Sequence, residues 1–264
     1  MQSLGGLVQR VASPGGCCIH KQLGWGPAAA AAAQHRRSVQ LHAKRPQKVP
    51  TVEKLEWQAP LQVIKYPDPR LRAPNARIGV FDDSLRELAK QMFEVMYQDD
   101  GVGLAAPDDG VGLAAPQVGV NVRLMVFNET ATPGSPEETV LVNPVIIEKG
   151  RATDVDVEGC LSFPKIYADV ERATKIEVQY QDLDGTKQQM QLRDFVARVF
   201  QHEYDHLQGV LYHDRMKAAE LEKVRPELLA LEEAFIAAHP DVAIQRVPPP
   251  AAAKAKGFGS IAKR

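Results

Sequence analysis

The sequence predicts an α+β fold with an antiparallel sheet. Apolar residues recur at helical spacing at both ends of the central region, and β-rich segments lie between them. Asp184-Gly185 also separates two short strand-like runs, which is a hairpin signal.

The elements follow in order. The folded domain is placed at 56–240, with its first ordered segment near 60–64, and 65–72 is a turn region rich in Pro and Asp. Residues 84–98 predict a helix, because Leu85, Leu88, Ala89, Met92, Val95 and Met96 share one face and Asp82 and Ser84 offer N-caps. Residues 123–128 and 139–143 read as strands, joined by a loop rich in Pro, Gly and Glu. Lys175–Gln181 places Ile176, Val178 and Tyr180 on one side, and 187–192 completes the hairpin. Residues 194–208 predict a helix stopped by Gly209. A further helix spans 216–238, with Pro226 at a kink or in a first turn.

The chain has 32 Lys and Arg against 33 Asp and Glu. Residues 1–52 hold seven bases and no acid, and 242–264 hold five bases and no acid. The span 53–241 therefore holds 32 − 7 − 5 = 20 bases and 33 acids, a net of −13. Such a core repels phosphate and argues against DNA as a partner. No apolar run is long enough to span a membrane. Residues 1–55 read as an organellar transit peptide and linker, with the plastid preferred over the mitochondrion, and 241–264 as a basic disordered tail. Residues 99–107 and 108–116 both read DDGVGLAAP, a tandem repeat too short and with too few copies for a solenoid.

His202-Glu203-Tyr204-Asp205-His206 matches H-E-x-x-H. On a helix the two imidazoles lie on one face, about 6 Å apart along the axis, and can meet one metal ion. Glu203 sits beside that ion as a proton acceptor. Two residues compete to be the third ligand. His213 lies one residue beyond the position that the metzincin protease pattern requires, which Tyr212 occupies. Cys160 is the lone cysteine outside the N-terminal pair Cys17 and Cys18. A Cys-His-His set leaves a fourth position open, as catalysis needs, and by itself points to zinc.

Three segments resemble, in order, the signature motifs of peptide deformylases: Gly110-Val111-Gly112-Leu113-Ala114-Ala115-Pro116-Gln117, Glu158-Gly159-Cys160-Leu161-Ser162, and Gln201-His202-Glu203-Tyr204-Asp205-His206. The resemblance runs from about residue 60 to 235 and is greatest to the plant and algal organellar class. It implies antiparallel sheets around a central metal-binding helix, with a C-terminal helix. It further implies Cys160, His202 and His206 as ligands of Fe(II), for which Zn, Ni or Co can substitute. Glu203 is then the general base and later the acid, while the Gln117 amide and the Leu161 N–H hold the oxyanion. Val111, Gly112, Leu113, Glu158, Gly159, Phe195 and Val199 are the expected substrate-binding residues, with Glu158, Asp205 and Arg172 supporting the ligands.

The implied reaction is removal of the formyl group from the N-terminal methionine of nascent organellar proteins. The basic tail suggests ribosome contact. A metalloprotease and a deformylase-like protein impaired by the repeat are the alternatives. Only the second repeat copy precedes Gln117; the first precedes Asp108, a carboxylate that cannot donate to an oxyanion. The second copy is therefore expected to line the pocket, while 99–107 loops outward or extends the helix.

Overall fold

Residues 49–98 and 111–250 are described by the computed structural model. Most of the expected transit segment (1–48), the first repeat copy, residues 108–110 and the basic residues 251–264 lie outside them. Among the described residues, no helix is long and apolar enough to cross a membrane.

The helix expected at 84–98 is α1 (Asp83–Gln98), with Leu85, Leu88, Ala89, Met92 and Met96 buried. Two short strands, β1 (Thr51–Val52) and β2 (Arg77–Ile78), pair in parallel. Ordered structure thus starts before 56, and Leu55 is buried in the same core as α1. The main sheet contains β3 (Gly112–Ala114), β4 (Leu124–Phe127), β5 (Thr139–Lys149), β8 (Lys175–Gln181) and β9 (Lys187–Arg193), in the spatial order β3-β4-β5-β8-β9. Every pairing in it is antiparallel.

Strand alternation divides the core in two. Leu113, Leu124, Val126 and Val142 pack with α1. Ala114, Met125, Phe127 and Leu141 pack with α2 (Asp194–Leu207), against its Ala197, Val199 and Phe200. Helices therefore cover both faces of β4, which explains why its four residues are all apolar and buried. β5 runs beyond the expected 139–143, because a register shift at Asn143 and Pro144 lets pairing resume at Val145. Asn143 adopts a left-handed φ of 52° there, and its side chain bonds both backbone groups of Ile78 at 2.8 Å.

A second hairpin, β6 (Thr153–Glu158) and β7 (Ala168–Ala173), was not expected from the sequence. It packs on the other side of α2, where the Gln201 amide bonds the Ala173 carbonyl oxygen and N–H at 2.8 and 3.2 Å. α3 (Ala218–Ala238) carries Pro226 in its interior and buries Val224 and Leu228 against Tyr66, Phe163 and Tyr212. The segment after it, expected to be disordered from 241, instead returns along α3. Val247 is buried, and Arg225 Nη1 donates to the Pro248 carbonyl oxygen at 2.6 Å.

Candidate metal centre and active site

α2 lies between the main sheet and the β6–β7 hairpin, so side chains from both reach it. His202 and His206 are one turn apart, with ring centroids 5.2 Å apart. Cys160 enters from the turn after β6. The ligand atoms of Cys160, His202 and His206 all lie within 4.8 Å of one another, and all three residues are buried. Cys160 Sγ is 3.4 Å from His206 Nε2. His213, the competing third ligand, lies elsewhere. Its Nε2 is 3.2 Å from Arg72 Nη2, and its ring packs on Tyr66 and Phe163.

One surrounding bond orients the His202 imidazole, while His206 Nδ1 has no partner among the described residues. Glu158 Oε2 accepts from His202 Nδ1 at 3.0 Å, which leaves Nε2 as the ligating atom. Glu158 is fully buried and also accepts from Arg172 at 2.8 and 2.9 Å and from Arg198 at 2.8 Å. Burial alone would raise its carboxyl, but the bonds from Arg172 and His202 hold it well below the usual carboxylate range. Burial pushes His206 well below its ordinary value, which favours the neutral imidazole that metal binding requires. One thiol and two imidazoles, with a cleft on their open side, fit a divalent cation in a catalytic arrangement.

Gly112, Gln117, Gly159, Cys160, Leu161, Val199, His202 and Glu203 line that cleft. The Ala114 N–H donates to Gln117 Oε1 at 2.7 Å, so the amide's NH₂ end faces the metal ligands, 3.6 Å from Cys160 Sγ. The Leu161 N–H makes no hydrogen bond among the described residues. Glu203 is buried with Oε2 unpartnered, and burial pushes its carboxyl up to about 7.

Residues 60–222 match the sequence profile of the Polypeptide deformylase family. The chain belongs to this family. It is 49% identical over 185 residues to the chloroplastic peptide deformylase 1B of Oryza sativa subsp. japonica, covering 70% of this chain and 65% of that protein. It therefore spans about two thirds of that relative's length. The Arabidopsis thaliana protein named chloroplastic/mitochondrial peptide deformylase 1B is 44% identical over 200 residues, covering 76% of this chain and 70% of that one. A plant peptide deformylase crystal structure superposes with a TM-score of 0.68 at 43% identity, over 74% of this chain and 100% of that one. For the Plasmodium falciparum peptide deformylase the TM-score is 0.62 at 37% identity, over 67% and 98%.

This deformylase-family chain gathers most of the expected site residues, but not all in one place. Gly112, Gln117, Gly159, Leu161, Val199 and Glu203 line the cleft with two of the ligands. Glu158 sits behind His202 rather than in the cleft. Leu113 points to the opposite face of the sheet and is buried against α1, because alternation sends it away from Gly112 and Ala114. Val111 is buried in the layer shared with α2, and half-buried Phe195 packs at that layer's edge. Asp205 accepts from Arg172 at 2.5 Å and from Arg215 at 2.6 Å. The roles of Arg198 and Arg215 were not read from the sequence. The available signal for Arg198 was its place one turn before His202 on the same helix face.

Proposed function

We propose that the chain removes the N-formyl group from the N-terminal methionine of newly made polypeptides and releases formate, acting in the plastid, with the mitochondrion as the alternative. The observation that carries this reading is the buried Cys160, His202 and His206 triangle beside Glu203 and the Gln117 amide. The relatives named chloroplastic and the acid-free, basic residues 1–52 support the compartment.

A divalent cation held by Cys160, His202 and His206 would polarise the formyl carbonyl and lower the pKa of water at its open position. Glu203 would take the proton from the attacking water and later give it to the leaving amine. The Gln117 NH₂ and the Leu161 N–H donate to the oxygen as negative charge develops on it. β3 is an edge strand of the main sheet, so an extended peptide can add alongside it and place its formyl end in the cleft. Val199 offers apolar surface to the methionine side chain. We assign Fe(II) as the native metal, with Zn, Ni or Co as substitutes, and ribosome contact to the basic residues 254–264. Deletion of 251–264, which spares the packed Val247, with unchanged, salt-insensitive ribosome co-sedimentation would end that last assignment.

Turnover of formyl-Met-Ala-Ser, with the metal content measured alongside, tests the central reading. Formate release by the wild type, and joint loss of metal and turnover in Cys160→Ala, are expected. A metal-loaded wild type that releases no formate would overturn it, and would favour the impaired relative. Proteolysis that survives Cys160→Ser would favour the metalloprotease.

A further inference from the structure

Residues 64–66 run between the two oxyanion donors. The Ile64 N–H donates to the Gln117 carbonyl oxygen at 2.8 Å. Lys65 Nζ donates to the Leu161 carbonyl oxygen at 2.8 Å, and the Tyr66 N–H donates to that of Ser162 at 2.8 Å. One short segment thus bonds both the loop that carries the Gln117 amide and the turn that carries the Leu161 N–H. It sets the spacing between them.

Tyr66 fixes this segment from behind. Its ring stacks on Phe163 with centroids 4.8 Å apart. Its hydroxyl donates to Glu232 Oε1 at 2.5 Å. Glu232 is fully buried on α3, and the same oxygen accepts the Val247 N–H at 2.6 Å. A buried carboxylate is costly unless it is hydrogen-bonded. Among the described residues, the bonds of Glu232 run from Oε1 to this segment and to the returning chain, Oε2 has no partner, and none goes to the metal ligands.

We propose that Tyr66 is a positioning residue for deformylation: through Glu232 it anchors residues 64–66, and with them both oxyanion donors, to α3 and the C-terminal return. This rests on the function proposed above. Oxyanion donors act by pointing at where charge develops, so a small displacement lowers turnover without weakening substrate binding. Tyr66→Phe removes the anchoring bond and keeps the ring stack. Its kcat is expected to fall about tenfold, with KM and bound metal unchanged.

A residue that only stabilises the fold would not act through Gln117, so the decisive measurement is a double-mutant cycle with Gln117→Ala. In the Gln117→Ala background, Tyr66→Phe is expected to cost less than about threefold. Glu232→Gln is expected to show the same coupling at smaller size, and it replaces Tyr66→Phe should that variant not fold. Wild-type turnover together with an unchanged kcat in Tyr66→Phe, or an equal loss in both backgrounds, would overturn the proposal. A metal-loaded wild type without turnover would overturn the functional reading itself.

Discussion

A Cβ added to Gly112 would lie 2.9 Å from Glu203 Oε1 and 3.0 Å from Val199 Cγ1. The glycine is therefore what lets the edge strand approach the base. Gly112→Ala must displace Glu203, and turnover should fall about 10²-fold while the metal stays bound. Near-wild-type turnover with a full complement of metal would show that Glu203 has room to move. The same contact explains why Gly112→Asp is expected to be severe. Gly103→Asp, in the first repeat copy, is expected to be mild. Burial pushes Glu203 up to about 7. A base works as the carboxylate, so the rate should fall as pH drops through its pKa. A cation at the ligands draws that pKa down, which places the acid limb of kcat/KM below about pH 7. Glu203→Gln should keep the metal, lose about 10²–10⁴-fold in turnover and show no such limb. A variant that retains the wild-type limb would assign it to another group. Cys160, His202, His206 and Glu203, which the fold brings together, were legible in the sequence because each motif is contiguous. The support behind them was only partly so. Arg172 and Glu158 are 14 residues apart, and Arg198 reaches Glu158 across 40, distances that only the placement of β6 and β7 over α2 closes.

Among the elements, β6 is the one whose purpose the sequence hid. Its Asp154-Val155-Asp156-Val157 alternation looks like a half-buried strand, yet Val155 and Val157 are 47% and 37% exposed. Only Glu158 at its end is buried. The strand's packing contribution is slight, and its role is to deliver one carboxylate to His202 and two arginines. Glu158→Gln keeps the shape but weakens the charge-assisted bonds that fix the His202 tautomer. Metal affinity should drop about 10–100-fold, read by chelator competition. Affinity equal to wild type would mean that the helix alone orients the ring. α1, α2 and the β8–β9 hairpin were legible because their periodicities match what they bury. β5 was read too short because Pro144 normally ends a central strand, whereas here it falls at a register shift, where no ladder bond is demanded.

At the scale of the whole molecule, a buried histidine, His213, lies between residues 65–72 and the start of α3, behind the half-buried Arg72 and the exposed Asp214. His213 is 2% exposed and Nδ1 has no partner. Asp214 bonds Arg72 at 2.6 and 3.0 Å. Burial, with the Arg72 guanidinium adding to it against the attraction of Asp214, pushes His213 down to about 4. The unfolded chain binds this proton near the ordinary histidine pKa of about 6.5 and the folded chain only near 4. As pH falls through that window the unfolded state takes up the proton first, so stability present above about pH 6.5 is progressively lost towards pH 4. The difference corresponds to an order of ~3 kcal/mol. Glu203 opposes this, since a raised carboxyl favours the folded state as pH falls, and the metal ligands add their own dependence. Both are shared by a His213→Gln variant, so comparing the two proteins isolates His213. Thermal melts of the metal-loaded proteins at pH 7 and pH 4.5 should show the wild type losing more stability than His213→Gln. Equal losses would mean that His213 gains its proton within the fold, and that Asp214 holds it charged against burial.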